Sequence, residues 1–221
     1  LELENVIIYD ANSMHPSQLY NKPMPVGIPI FYEGEYIKDN QYPLYVQRLM
    51  VEFKVKENKP PTIQNRSNLN YRVSEYIKET NGPLLLTLTS IDLKLLLENY
   101  DIYYIEYIDG FKFRSETGLF NDYIDKWMKV KEKSKGIDRS IAKLMLNSLY
   151  GKFGTRPVRV NKDIYFEDGV MKYKSGEMRK IDPIYLPVAA FTTAYSRQDL
   201  FKAISDNYDN FIYADTDSVH L

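Results

Sequence analysis

Three aspartates stand at the ends of segments that have the pattern of strands. Asp10 follows the apolar residues 6–9, and Asp215 and Asp217 flank Thr216 between two apolar stretches that predict a β-hairpin. Carboxylates this close repel one another unless cations neutralise them, so a metal site is the simplest explanation. With Asp10 added, three converging carboxylates would suit two divalent ions about 3.5–4 Å apart, an arrangement that promotes phosphoryl transfer. A capped turn at Asp10 and a solvated acidic hairpin turn are the alternatives.

A basic face lies on residues 138–150, a segment that predicts a helix. At helical spacing one side carries two cations, an amide and a phenol: Arg139, Lys143, Asn147 and Tyr150. Like charges four residues apart repel, so the pair of cations favours an anionic ligand such as a triphosphate. Tyr150 would offer a flat surface for a sugar and base, and Gly151 would let a nucleic acid approach the backbone closely. A solvated basic helix face is the alternative.

Charge and composition fit a nucleic-acid enzyme but do not demand one. The net charge is −1, yet residues 126–143 hold seven basic and two acidic side chains, a local +5, so the remainder carries −6. The 44% hydrophobic and 27% charged residues exclude disorder, and the absence of Cys excludes disulfides and thiolate metal sites. No apolar run is long enough for a membrane span. The chain does not begin with Met and has no signal-peptide pattern, so we expect a fragment of a longer protein in a reducing cytosol.

The elements that must position these residues predict one α+β domain with insertions. Unbroken apolarity at residues 6–9 predicts a strand covered on both faces. Glu33-Gly34 predicts a hairpin turn, and Asp168-Gly169 predicts another with greater force because it suits a primed turn. The other expected elements are a helix capped by Ser90 and running to 97, a strand at 103–107, an antiparallel helix pair at 117–134 and 138–150, and a helix at 187–204.

Three ordered motifs resemble those of family B DNA polymerases, above all the protein-primed replicases of small phages and linear plasmids. Residues 10–17 (DANSMHPS) resemble motif A of that family, 143–151 (KLMLNSLYG) motif B, and 213–218 (YADTDS) motif C. Residues 193–197 (TAYSR) are similar to the family's Thr-x-x-Ala-Arg motif. The resemblance implies a DNA-templated polymerase that transfers dNTPs to a primer 3′-OH or a terminal-protein hydroxyl during viral or plasmid replication.

The resemblance also implies roles for single residues. Asp10 and Asp217 would be the principal ligands of two Mg²⁺ or Mn²⁺ ions, with Asp215 beside them. The incoming nucleotide would be bound by Ala11, Ser13, His15, Lys131, Arg139, Lys143, Asn147 and Tyr150. Template and primer DNA would be contacted by Ser148, Gly151, Thr193, Arg197 and Ser218. The expected partners are template–primer DNA, dNTPs and a terminal protein, with no membrane, in the cytoplasm of a bacterial host.

By the same likeness the chain divides into parts of a right-hand polymerase. The expected order is palm with motif A at 1–22, a priming and processivity insertion with palm elements at 23–116, fingers with motif B at 117–154, a second insertion hairpin at 155–180, and palm with motif C at 181–221. An antiparallel palm sheet flanked by helices is expected, without the family's exonuclease and thumb. We therefore expect these residues alone to extend primers poorly or not at all.

Two positions depart from the family's motifs. His15 stands where the family usually has the sugar-excluding Tyr, and Ser196 stands in place of Ala in the Thr-x-x-Ala-Arg motif. A planar ring at 15 should still block a ribose 2′-OH, though less completely.

Other functions remain open at the level of sequence. A reverse transcriptase or RNA-templated polymerase would also use a palm, but such enzymes typically have two adjacent Asp at the hairpin, whereas Thr216 intervenes here. A catalytically silent nucleic-acid-binding remnant would use only the basic segment. A Ser/His/Asp triad is the weakest alternative, because His15 and His220 are the only histidines and neither lies in a Gly-x-Ser-x-Gly context.

Overall fold

A small antiparallel sheet brings distant parts of the chain together. The computed structural model describes residues 6–65, 75–180 and 184–221. Strand β1 (Ile8–Asp10) pairs with β11 (Ser218–His220), which also pairs with β10 (Tyr213–Asp215). The register sets Asp10 and Asp215 on opposite sides of Ser218. The β-hairpin predicted around Asp215 and Asp217 is therefore confirmed, and it meets the strand that ends at Asp10.

A larger four-stranded sheet follows the order β2-β7-β3-β6. Its strands are β2 (Met24–Glu33), β3 (Leu44–Val55), β6 (Leu84–Thr89) and β7 (Tyr100–Glu116). The predicted hairpin at Glu33-Gly34 is wrong, because β7 lies between β2 and β3 and pairs with both. Strand β7 is also far longer than the 103–107 expected. At Gly110 it passes so close to β3 that a Cβ would lie 2.2 Å from the Val46 carbonyl oxygen.

Two separate strand pairs complete the β structure. Strands β4 (Gln64–Asn65) and β5 (Glu75–Tyr76) form a short pair. Strands β8 (Val158–Glu167) and β9 (Val170–Lys180) form a long hairpin. Its turn residues Asp168 and Gly169 have φ of 53° and 74°. Positive φ at both positions is the primed-turn geometry, so the Asp168-Gly169 prediction is confirmed.

Five helices are present in the described part of the chain: α1 (Met14–Leu19), α2 (Ser90–Asn99), α3 (Asn121–Lys133), α4 (Gly136–Phe153) and α5 (Leu186–Asp206). Thr89 rather than Ser90 caps α2, since its side chain accepts from the Asp92 N–H. Helices α3 and α4 are antiparallel as predicted: the Tyr123 hydroxyl donates to the Met145 carbonyl at 3.0 Å, and Arg139 donates to the Lys131 carbonyl at 3.1 Å. None of these helices combines the length and apolarity that crossing a membrane requires.

Helix α5 lies at the centre of the core. Phe191 and Ala194 are completely buried. The cluster around α5 gathers residues from α1, the large sheet, α3 and α4: Leu19, Met24, Leu44, Phe113, Ile124, Leu146, Val188, Phe191 and Tyr195. Because burial of such side chains contributes about 1.5–3 kcal/mol each, this shared core fixes α1 and α4 relative to one another. The expected α+β class with antiparallel sheets and a helix pair is confirmed.

The expectation that β1 is covered on both faces is wrong. Ile7, Ile8 and Tyr9 are 56%, 59% and 60% exposed. Strand β1 is an edge strand with one neighbour, β11, and within the described residues it is β11 that packs on α5 through the buried Val219. Apolarity alone therefore did not indicate which strand of this sheet is covered.

Candidate active site

Asp10 and Asp217 line the same cavity, which has a volume of about 650 Å³. The turn after β10 lies against the turn after β1, since the Ala11 N–H donates to the Asp217 carbonyl at 2.7 Å. In the part of the chain that the structure describes, neither carboxylate forms an ion pair or a side-chain hydrogen bond. Two carboxylates without protein partners, facing one cavity, are suited to bind a cation.

Asp215 does not line the cavity that Asp10 and Asp217 share, and its expected place among three converging carboxylates stays a prediction. Its Oδ1 accepts from the Thr216 N–H at 2.6 Å and from the Thr216 hydroxyl at 3.2 Å. It lines an adjacent cavity of about 610 Å³ instead. Across residues 6–65, 75–180 and 184–221 no three acidic or histidine side chains gather into a metal-ligand group. Both hydrogen bonds of Asp215 fall on one carboxylate oxygen, Oδ1, and come from the next residue in the hairpin turn.

Two carboxylates nevertheless suit Mg²⁺ in a nucleotide site. Mg²⁺ keeps several waters and is commonly bound by one or two carboxylates together with substrate phosphates, rather than by a cage of protein ligands. Asp10 and Asp217 supply such a donor set, and the cavity is within the size range of small-molecule sites, about 300–1,000 Å³. The residues present therefore fit a metal that arrives with a triphosphate.

The opposite wall of this cavity is basic. Lys131 from α3 and Arg139 and Lys143 from α4 line it, together with Asn147 and Tyr150. Arg139, Lys143, Asn147 and Tyr150 were expected from helical spacing to share one face of α4, and Lys131 was expected only from the family resemblance; all five line the cavity that contains the two acids. The cavity thus has acids on its sheet side and cations on its helix side, and a triphosphate with a bound divalent ion carries the complementary charges.

Lys131 links α3 to the turn that follows β1. Its Nζ donates to Ser13 Oγ at 2.8 Å and to Asn12 Oδ1 at 3.0 Å. Ser13 has φ of 57°, the left-handed region that non-glycine residues adopt at a cost. Ala11 and Ser13 both line the cavity. Asn12 was missed at the sequence level, although it lies inside the motif that was singled out.

His15 forms part of the wall between the two cavities, since it lines both. Its ring lies 3.9 Å from the Tyr150 ring, centroid to centroid, at an interplanar angle of 41°. Its Nδ1 is 3.2 Å from Ser196 Oγ. Burial lowers the pKa of His15 below its usual value, and the nearby negative charge of Asp217 acts in the opposite direction.

The residues expected to contact DNA occupy more than one surface. Thr193 and Arg197 line the cavity that contains Asp215. Arg197 is bound by Asp92 through two hydrogen bonds of 2.8 Å each, from Nε and Nη2. No sequence signal indicated Asp92, which comes from α2, more than a hundred residues before its partner.

Three more expected DNA contacts lie on α4 and the small sheet. Gly151 lies on α4, and a Cβ added there would meet nothing within 4 Å. Ser148 lies on the same helix, where its hydroxyl donates to the Met145 carbonyl at 3.3 Å. Ser218 lies between Asp10 and Asp215 in the small sheet. The structure thus places these three residues near the acids and the basic helix, and their contacts with DNA stay predictions.

An antiparallel sheet with acids at one edge, opposite a basic helix pair across a nucleotide-sized cavity, is typical of nucleic-acid polymerases. The sequence matches the family described as DNA polymerase type B, organellar and viral, over residues 2–221. The DNA polymerase of Bacillus phage Nf is 47% identical over all of this chain and 39% of its own length. That of Streptococcus phage Cp-1 is 38% identical over 97% of this chain and 39% of its own length.

Comparison with solved structures agrees with the sequence matches. The structure of Phi29 DNA polymerase complexed with primer-template DNA and incoming nucleotide substrates superposes with a TM-score of 0.91 and 43% identity, over 98% of this chain and 38% of that one. The chain belongs to the organellar and viral type B DNA polymerases. It spans about two fifths of the length of these relatives, 39% for the phage Nf enzyme.

Proposed function

We propose that this chain is the nucleotidyl-transfer core of a protein-primed, DNA-templated DNA polymerase of a phage or linear plasmid. It would add dNMP units to a primer 3′-OH or to a terminal-protein hydroxyl. The observation that carries the proposal is the single cavity that Asp10 and Asp217 share with Lys131, Arg139 and Lys143. Family membership supports the class of reaction, and the cavity supports the assignment of that reaction to these residues.

Asp10 and Asp217 would hold the divalent ions, Mg²⁺ or Mn²⁺, that accompany the nucleotide. Bound there, two ions would activate the attacking hydroxyl and stabilise the leaving pyrophosphate. The Asp215 carboxylate is already bonded to Thr216, so we assign it a supporting place beside the site rather than a principal ligand role.

The cations on α3 and α4 would bind the triphosphate. Lys131, Arg139 and Lys143 supply charges that match phosphate oxygens, and they would stabilise charge that develops on the leaving group. Lys131 would do this while bonded to Ser13 and Asn12, so phosphate binding would also hold the turn after β1.

The sugar and base would lie against the other walls of the cavity. Tyr150 and Asn147 would line the base and sugar side, and Ala11 would contribute backbone. The His15 ring, packed against Tyr150 at a tilt of 41°, would face the 2′ position of the sugar and disfavour ribonucleotides.

Template and primer would run past the remaining expected contacts, Ser148, Gly151, Thr193, Arg197 and Ser218. In this scheme residues 1–22 and 181–221 act as the palm and 117–154 as the fingers. The insertions at 23–116 and 155–180 would serve priming with a terminal protein, processivity and strand displacement. The place of action would be the cytoplasm of a bacterial host, consistent with the Bacillus and Streptococcus phage relatives.

A single-turnover incorporation assay tests this proposal even at low activity. Excess chain is mixed with a labelled DNA primer, one dNTP and Mg²⁺, on a DNA template or on an RNA template of the same sequence. We expect one templated nucleotide to be added on DNA, and addition to be lost in Lys143→Ala. Faster addition on the RNA template would support the RNA-templated alternative. Tight DNA binding without any addition, together with Mn²⁺ binding that does not depend on Asp10 and Asp217, would support the silent binding remnant.

A further inference from the structure

The His15 ring is held at two points by residues from two different helices. Tyr150 on α4 supports its face at a centroid distance of 3.9 Å, and Ser196 on α5 bonds its Nδ1 at 3.2 Å. Ser196 is 5% exposed and Tyr195 beside it is 6% exposed, so this part of α5 belongs to the core and does not move independently. A side chain with a fixed face and a fixed edge has little freedom to rotate.

The hydrogen bonding of Ser196 sets the tautomer of His15. The Ser196 hydroxyl lies 3.1 Å from the Thr192 carbonyl oxygen, one helical turn back, and donates its single proton there. With that proton engaged, the Ser196 oxygen is an acceptor for His15, and this arrangement calls for the ring proton on Nδ1. Nε2 is left as a bare acceptor, with no hydrogen-bond partner among the described residues.

We propose that Ser196 is a positioning residue for sugar selection: it holds His15 as the Nδ1–H tautomer, with the ring fixed against Tyr150 at the sugar side of the nucleotide cavity. This inference rests on the proposed function, which puts a nucleotide in that cavity. His15 and Ser196 are the two positions at which the sequence departs from the family motifs that it resembles. In the structure they contact each other directly.

A fixed ring excludes a ribose hydroxyl better than a mobile one. Exclusion depends on the ring occupying the space that a 2′-OH would need, and any rotation away from Tyr150 opens that space. Losing one hydrogen bond, of net strength about 0.5–1.5 kcal/mol, would let other ring orientations become populated. We therefore expect Ser196→Ala to reduce the preference for dATP over ATP about fivefold, since each 1.4 kcal/mol is a factor of ten.

The tautomer can be measured without any nucleotide. In the chain labelled with ¹⁵N-histidine, long-range ¹H–¹⁵N NMR at pH 8 distinguishes Nδ1–H from Nε2–H, and a His15→Phe spectrum assigns the two histidines. We expect Nδ1–H for His15 in the unaltered chain and a shift towards Nε2–H in Ser196→Ala. The control is Thr192→Ala, which removes another buried hydroxyl from α5 that bonds its own helix. Nε2–H in the unaltered chain, or no shift in Ser196→Ala, would overturn the proposal.

Sugar selection is tested by a double-mutant cycle on the dissociation constants of dATP and ATP, with Mg²⁺ and primer–template present. Ser196→Ala should lower the ATP/dATP ratio about fivefold with His15 in place and leave it unchanged in a His15→Phe background. An equal loss in both backgrounds would mean a purely structural role and refute the proposal. If neither dATP nor ATP binds while NMR gives the expected Nδ1–H tautomer and its shift in Ser196→Ala, the proposed function is refuted. The hydrogen bond between Ser196 and His15 is then still supported.

Discussion

The ion pair between α2 and α5 should contribute more to stability than any exposed pair in this chain. Asp92 accepts two hydrogen bonds of 2.8 Å from Arg197 and one of 2.8 Å from the Thr89 hydroxyl. The Asp92 side chain is 12% exposed and that of Arg197 is 28% exposed. The substitution Asp92→Asn keeps the shape, removes the charge and turns an amide group towards the guanidinium.

The size of the effect follows from that partial burial. Breaking a buried ion pair by removing one partner costs about 3–5 kcal/mol. Exposed pairs are worth about 0–1 kcal/mol. Because Arg197 retains some contact with water, we expect Asp92→Asn to lower the free energy of unfolding by about 2 kcal/mol, between those limits.

Urea denaturation measures this, with a matched control on the same helix. Glu98 pairs with Lys94 at 3.7 Å, and both side chains are more than half exposed, at 54% and 62%. Glu98→Gln should therefore cost less than about 0.5 kcal/mol. Combining Asp92→Asn with Arg197→Gln should cost less than the sum of the two single changes, because they remove the same bonds. A cost for Asp92→Asn equal to that for Glu98→Gln, or strict additivity, would refute this reasoning.

Three further predictions concern the site and its surfaces. Gly151→Ala should stabilise the chain by about 0.5–1 kcal/mol, since Gly is a poor residue inside a helix and a Cβ there meets nothing within 4 Å. If DNA approaches this backbone, the same change should weaken primer–template binding. Equal DNA binding by the variant and the unaltered chain would remove Gly151 from the DNA contacts. His15→Tyr should tighten discrimination against ribonucleotides, because a larger ring packed against Tyr150 fills more of the space a 2′-OH needs. Equal misincorporation by the unaltered chain and the variant would contradict this. The logarithm of the DNA-binding constant should fall linearly with the logarithm of the salt concentration, with a smaller slope in Lys143→Ala, because phosphate contacts release counterions. A flat salt response would exclude the basic wall as a DNA surface.

Local signals in the sequence were enough for much of the fold. The turn at Asp168-Gly169 needs positive φ at two consecutive residues, and that requirement is visible in the residue types themselves. The antiparallel pair α3–α4 follows from two amphipathic segments joined by a short break at Gly136, where φ is 60°. Each of these features depends on residues close together in the chain, so periodicity and turn chemistry could predict them.

The pairing of strands that are far apart in the sequence could not be predicted from local signals. Strand β7 begins sixty-seven residues after β2 ends, and the hairpin expected at Glu33-Gly34 was replaced because β7 lies between β2 and β3. Which strand lies beside which depends on packing of the whole sheet. Apolar residues 6–9 likewise could not show that β1 would be an edge strand.

In the candidate active site, too, features set by local spacing were predictable and features set by packing of distant elements were not. The face formed by Arg139, Lys143, Asn147 and Tyr150 was predictable from helical spacing, and the structure joins it to Asp10 and Asp217. The cavity that Asp215 lines could not be foreseen, because it depends on which way one carboxylate turns within a tight hairpin. The binding of Arg197 by Asp92 depends on the packing of α2 against α5, for which the sequence carries no marker.

The central claim is that Asp10 and Asp217 together bind a divalent ion opposite the basic helix. Electron paramagnetic resonance titration of Mn²⁺ in the presence of dATP tests it most directly, on the unaltered chain, on Asp10→Asn and on Asp217→Asn. Asp209→Asn is the control, since Asp209 is exposed and lines none of the cavities that contain these acids. We expect each of the first two variants to weaken Mn²⁺ binding at least tenfold and the control to leave it unchanged. Mn²⁺ affinity that is the same in all four proteins would contradict the account.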